Sequence, residues 1–400
     1  MGLNRSADVA WKDLAIFESS DLVRRLYKRR HDLDLSAGKA REITTALAQG
    51  REYFAELSSV GQLARPLVLF YGVVALSRAA ILFFKPGANE ANLNPAHGLT
   101  VLSWQQTLAG GIKNIPELRL KAASGTFIEL ADATQVADRV SVYVAPYPAT
   151  KLVRTANLAS MSVGWVLSLR DLLGRVPDLH NMYEETFEVH APCRRVFVFL
   201  LAGPGPYKTA IDVLATRLGL PTEVQARQDL GLQPGEQLIK RSNHNFLGAV
   251  EHWGVQQPRQ SLQDVLDRLP HLANDAGGNM FVVPTIPQGP RLSKLLLLYA
   301  ISFAMGMLAR YYPSRWVSLL AGGAGDFSYP LLAEASRVVE DLFPHFWLRS
   351  SGLRTKRIAR CRGYPSAIAG ENDAADNAAQ SVPGWLRGLR VSPRYRYCRR

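Results

Sequence analysis

Two segments constrain this chain more than any other feature: Pro66–Phe84 and Leu295–Ala309, its most apolar stretches. A helix with no polar face has to be enclosed, either by protein or by lipid. Spanning a bilayer takes about 20 predominantly apolar residues. The first stretch is interrupted by Arg78, and the second is short and closed by Lys294 and Arg310. Both are therefore expected as buried core helices, and no membrane span is expected. In the second, Ala300, Ser302, Ala304 and Gly306 would let another helix approach closely. A chain of 400 residues, 47% hydrophobic and 20% charged, is long enough to enclose such helices.

Periodicity extends the helical reading at both ends. Ile43, Leu47, Gly50, Phe54 and Leu57 fall at steps of three and four, one stripe along a helix over 35–60. Pro66 suits the first turn of the next helix. The turn-rich KPGANEANLNPAHG follows at 85–98. From about residue 125 short β-branched and aromatic runs appear. Thr126–Leu130, Arg139–Ala145 and Arg195–Leu201 read as strands, with helices expected at Ala156–Leu173 and Thr209–Leu218. Beyond the cluster VVPTIPQGP at 282–290, helices return at Leu292–Leu308 and Leu331–Phe343, the latter stopping at Pro344. The expected fold is mainly α with a central α+β region, its N-terminal and C-terminal helical segments packed into one core. The expected divisions are a helical region at 1–120, an α+β region at 121–290, a second helical region at 291–353 and a basic, disordered tail at 354–400.

Charge is concentrated in that tail. Residues 351–400 hold eleven basic against three acidic side chains, +8 of the total +13, which leaves only +5 for the first 350 residues. Tyr395 and Tyr397 alternate with arginines in RVSPRYRYCRR, a composition that holds phosphates and stacks bases as well as it suits a solvated extension. Nucleic acid, if bound, is expected there. Cys193, Cys361 and Cys398 form no CxxC pair, which fits a reducing, cytoplasmic compartment. The N-terminus has no continuous apolar run of the secretory type. Gly2 and Ser6 match the loose myristoylation pattern, too short to carry weight.

The motifs that suggest chemistry argue themselves down. AGPGPYKT at 202–209 has the Lys-Thr order of a phosphate loop, but Tyr207 stands where glycine is needed, and Pro204 and Pro206 remove two amide donors. It reads as a tight strand-to-helix connection. An arginine separated from a histidine by four to six intervening residues, the spacing of HEPN ribonucleases, occurs at Arg175 to His180 and at Arg24 or Arg25 to His31. Chance supplies about two such pairs in a chain this rich in arginine. His244 and His252 are eight apart, not the three or four of helical metal ligands, so no metal site and no cofactor are expected. In AGGAGDF, at 321–327, Asp326 would repel an anion, and the loop reads as a helix connection.

The segments LARPLVLFYGVVALSRAAILFF at 63–84, HGL at 97–99, and the C-terminal helix running into RYYPSRW at 310–316 resemble the YaaC-like family of bacterial proteins. Arg65, Pro66, Leu67, Tyr71, Gly72, His97, Gly98, Arg310, Tyr311, Pro313 and Trp316 carry that resemblance, with Phe70 in place of the first tyrosine of the family's YYG. It implies an intracellular, mainly helical protein and assigns no activity to any residue. The N-terminal helices also resemble a degenerate HEPN fold, a class recurrent in RNA cleavage and phage defence. The expected function is a non-enzymatic protein-binding or regulatory module with an unknown protein partner. The alternative is a metal-independent HEPN-like ribonuclease or nucleic-acid-binding defence component. His97, Arg65 and Arg310 are the candidate catalytic residues, and Arg310, Tyr311, Arg315 and Trp316 the candidate binding residues. Pro313 and Trp316 have a structural reading beside the functional one: a lock at the end of the long helix, with Arg310 on the helix-end carbonyls.

Overall fold

The computed structural model describes residues 4–134, 137–144, 147–155, 161–201, 208–232, 235–245, 248–257, 272–287, 289 and 291–350. Four helices open the chain: α1 (Asn4–Leu14), α2 (Ser20–His31), α3 (Ala37–Glu56) and α4 (Arg65–Phe84). Ser19 and Ser36 cap α2 and α3 by accepting from the amides of Leu22 and Lys39. Pro66 occupies the first turn of α4. The predicted stripe of α3 is buried. Its Gly50 lies where a Cβ would stand 2.7 Å from Leu76, and Gly72 of α4 where one would stand 2.8 Å from the Phe54 ring, so each helix gives way to the other.

The central region carries two sheets. β1 (His97–Leu102), β2 (Arg119–Gly125) and β5 (Val166–Ser168) form a three-stranded antiparallel sheet in the order β1-β2-β5. The short helices α5 (Trp104–Ala109) and α6 (Thr126–Ala133) flank β2 in sequence. β3 (Ala137–Val144) and β4 (Tyr147–Thr155) form a hairpin, and β3 runs parallel to β6 (Arg194–Leu201). α7 (Leu169–Leu173) and α8 (His180–Phe187) precede β6. β7 (Lys208–Leu214), α9 (Glu223–Asp229), β8 (Leu238–Asn245), β9 (Gly248–Gln257), β10 (Leu272–Asn274) and β11 (Met280–Val282) follow, and the larger sheet runs β10-β11-β6-β7-β9-β8. The described residues end with α10 (Lys294–Tyr311), α11 (Pro313–Leu320) and α12 (Tyr329–Ser350).

One large hydrophobic core runs from Leu14 to Leu348, so the two helical segments do share an interior. A smaller core, including Val196, Ile211, Val213 and Val282, belongs to the larger sheet. Gly306 brings α10 onto α4, since a Cβ there would lie 2.9 Å from Phe70. Trp347 ties α12 to α4 by donating from Nε1 to the Leu76 carbonyl at 2.8 Å. Both α4 and α10 are long and apolar enough to cross a membrane, yet 72% and 78% of their most apolar windows are buried within the protein.

Four local expectations are corrected. Thr126–Leu130 is the start of helix α6, because Phe127 and Leu130, three apart, are buried together. Ala156–Leu173 is not one helix: 156–160 lie outside the described residues, β5 occupies 166–168 through pairing with β2, and only 169–173 are helical. Thr209–Leu218 falls largely in β7, a strand paired on both sides, so AGPGPYKT joins strand to strand; residues 202–207 of that loop lie outside the described residues. Helix α12 continues through Pro344, because Phe343, Trp347 and Leu348 are buried beyond it, a gain that outweighs proline's cost of about 3 kcal/mol. The tail at 354–400 lies outside the described residues.

Candidate functional site: the Arg310–Trp316 corner

The motif RYYPSRW turns the chain from α10 into α11. The Tyr312 amide closes α10 by donating to the Leu308 carbonyl at 2.9 Å, and Pro313 then opens the next helix, where a missing N–H costs nothing. Two aromatic side chains fix the turn. Tyr312 packs against Trp104 at 4.7 Å between ring centroids, and buried Trp316 donates from Nε1 to the Gln62 carbonyl at 3.1 Å. The second bond seats the corner on the turn between α3 and α4, so Trp316 anchors to that turn.

Arg310 behaves differently from the helix-end role expected of it. Its guanidinium lies over the Tyr311 ring at 5.1 Å and donates to the Tyr71 hydroxyl at 3.2 Å, where Tyr71 is itself 6.0 Å from Tyr53. Arg315 is exposed. Leu63, Tyr311 and Val317 are 57%, 57% and 44% exposed. Leu63 adjoins Gln62 and Val317 adjoins Trp316, so the Gln62–Trp316 bond brings the two chain segments that carry them to the corner that Arg310, Tyr311 and Arg315 also occupy in sequence.

His97 opens β1. Its ring meets Phe70 edge-on at 5.0 Å and Phe303 at 6.2 Å, while its carbonyl accepts from the buried Tyr299 hydroxyl at 2.8 Å. Its Nδ1 is buried without a hydrogen-bond partner. Burial first, and the nearby positive charge of Arg310 second, hold the imidazole below its ordinary pKa, so it is neutral at pH 7. His97 and Arg310 are thus within electrostatic reach of one another. Arg65 is engaged elsewhere, on the Leu57 carbonyl and on Glu340 Oε2 at 2.6 Å, joining α4 to α12.

The two HEPN-spaced pairs serve the architecture. Buried Arg175 donates to Asp171 and to the carbonyls of Pro284 and Thr285 at 2.9–3.1 Å. His31 sits on the Phe83 carbonyl at 2.9 Å, and Arg24 on that of Leu35 at 3.0 Å. Sequence reasoning also missed buried ion pairs. Arg194 and Asp229 meet at 2.9 Å, and Lys294 pairs with Asp178, across 35 and 116 residues of chain, too far for any local spacing to reveal. His252 lies 3.6 Å from Asp212, whose carboxyl burial pushes up against the opposing pull of His252 and Arg241. Among the described residues no group of three or more His, Cys, Asp or Glu is placed to hold a metal.

No curated protein and no solved structure matches this chain. A family model described as YaaC-like Protein matches residues 15–350, a span that takes in α4, β1, the corner and α12. The chain therefore belongs to the YaaC-like protein family.

Proposed function

We propose that this protein is a binding module whose Arg310–Trp316 corner docks an acidic, apolar segment of a partner protein. The observation that carries the reading is the pairing of exposed Leu63, Tyr311 and Val317 with Arg310 and Arg315, neither of which has an ion-pair partner among the described residues. Solvent-facing apolar side chains gathered beside uncompensated guanidinium groups suit a partner that brings carboxylates around an aliphatic or aromatic anchor. The corner is also rigid before binding, because Trp316 and Tyr312 are already fixed, so little ordering cost opposes association.

The test is a peptide-display selection on the full-length protein, with affinities measured at two salt concentrations. Selected peptides should combine Asp or Glu with a bulky apolar residue. Val317→Asp and the double change Arg310→Glu, Arg315→Glu should each weaken them about tenfold or more, while thermal stability moves by less than about 0.5 kcal/mol. Affinity should fall as salt rises. Peptides that bind the variants as well as the parent would overturn the reading. So would RNA cleavage that disappears in His97→Ala, which would put the function in the His97–Arg310 pair.

A further inference from the structure

A second site lies away from this corner, at the seam where the larger sheet meets α12. A cavity of about 310 Å³ opens there, at the lower end of the range for small-molecule sites. His180, Arg195, Thr216, Asp275, Asn279 and Phe281 line it, and α12 contributes Glu334 and Val338. Its position is set by structure already described. The Asp178–Lys294 pair ties the wall to the start of α10, and Asp178 Oδ1 also accepts from the Ala276 amide at 2.7 Å, holding the β10–β11 turn in place.

Two polar groups in this wall have capacity that the protein does not use. His180 is 5% exposed, and its Nδ1 meets Asn181 Oδ1 at 3.2 Å, while its Nε2 is buried with no hydrogen-bond partner, 3.7 Å from the nearest Glu184 oxygen. Burial lowers its pKa, and the neutral ring offers a single acceptor or donor there. Arg195 donates from Nη2 to Asn279 Oδ1 at 2.6 Å, and its Nε is buried without a partner. A buried polar group left unpaired costs about 1–3 kcal/mol, and two such groups lie within the residues that wall this cavity.

The wall is also dipolar. Asn279 accepts from Arg195 and donates from Nδ2 to Asp275 Oδ2 at 2.7 Å, its own amide donating to Asp275 Oδ1 at 2.8 Å. One side chain therefore spaces a guanidinium from a carboxylate, and among the described residues Asp275 has no ion-pair partner. A simple anion would satisfy Arg195 and be repelled by Asp275, while Glu334 is already paired with Arg337 at 2.5 Å. A simple cation would face the opposite conflict. We propose that the cavity binds a compact zwitterion of the free amino acid type, its carboxylate on Arg195 and its ammonium on Asp275, with Phe281 and Val338 beside its aliphatic part.

Isothermal titration of the full-length protein decides this, using as probes the free L-amino acids, propionate, n-propylamine and inorganic phosphate. At least one amino acid should bind at a 1:1 ratio, about tenfold or more tightly than propionate, propylamine or phosphate. Arg195→Met should weaken it by about tenfold or more. Ala276→Trp, on an exposed turn at the rim, should do the same by blocking the mouth while leaving the fold intact, which covers the case in which Arg195→Met fails to fold. Val317→Asp should have no effect, which separates this site from the corner. Absence of binding by every amino acid would overturn the proposal. So would phosphate or propionate binding as tightly as any amino acid, or undiminished binding by Ala276→Trp.

Discussion

Replacing Trp347 tests the packing that joins the two ends of the chain. Its indole is fully buried, meets Phe17 edge-on at 4.7 Å, lies 5.5 Å from Phe84, and donates to the Leu76 carbonyl of α4. Truncation to alanine removes the whole ring from a site walled by other aromatics, which collapse poorly, and such losses cost about 3–5 kcal/mol. Trp347→Phe separates the contributions. It gives up one hydrogen bond, about 1 kcal/mol. It also leaves a void of about 40 Å³, worth about another 1 kcal/mol. Leu76 is inside helix α4, so its carbonyl has an intrahelical donor to fall back on and adds no orphan penalty. The expected losses are therefore about 4 and about 2 kcal/mol. At about 2.1 cal/mol/K per residue, a unit of about 350 residues has an unfolding entropy near 0.7 kcal/mol/K, so the alanine variant should melt about 5–6 °C lower. Calorimetry and guanidinium denaturation supply both numbers. A loss below about 1 kcal/mol in Trp347→Ala would refute the claim that α12 shares the core of α4, as would a shift confined to a minor transition that leaves the main one in place.

Two further outcomes follow from buried charge. Arg175→Met strands Asp171 and the Pro284 and Thr285 carbonyls, and should lower stability by about 2–4 kcal/mol in denaturant titrations; a loss under about 0.5 kcal/mol would free Arg175 for a functional role. Asp341 is pushed up to about 6 by burial first, then by the like charges of Glu340 and Glu334, against the pull of Arg337. The folded state thus holds this proton more tightly than the unfolded chain, where a carboxyl titrates at about 4, so its contribution to stability declines as pH rises from about 4 to about 6. Asp341→Asn should add about 1–2 kcal/mol at pH 8 and nothing at pH 4, and an equal gain at both would show that the carboxylate is not the cause.

Segments whose pattern and surroundings agree could be read directly from the sequence. The stripe from Ile43 to Leu57 and the all-round apolar run of α10 name their own partners, since a side chain that must leave water at every turn has only the core to enter. The failures are places where tertiary contact outvotes local preference. Thr209–Leu214 is acceptable as helix or strand, and β6 and β9 decide it by pairing on both edges. Pro344 is a stop signal that Trp347 overrides. At the candidate site the sequence supplied Arg310, Tyr311, Arg315 and Trp316 as a continuous motif, but Leu63 is two hundred and fifty residues away. No pattern marks it as exposed until Trp316 reaches Gln62. The cavity was illegible for the same reason: Asp275 and Asn279 look like turn residues, and Arg195 like a strand position, until β6 and β11 pair and bring them together.

Helix α10 sets the relation between the two proposed sites. Its first residue, Lys294, anchors the cavity wall through Asp178, and its last turn carries Arg310 into the corner, about 24 Å away at 1.5 Å per residue. Between these ends every residue from Leu295 to Leu308 is buried, and Gly306 leaves no room for a Cβ against Phe70. A rod so enclosed cannot slide or roll by a small amount, because each step forces side chains of α4 and α12 out of contact. A helix that carried a signal between the sites would need two packings of similar energy. The close approach at Gly306 and the Trp347 bond to Leu76 favour only one. Occupants of the cavity and of the corner should therefore bind independently, each reading a rigid surface, and α10 acts as the strut that holds both surfaces in register.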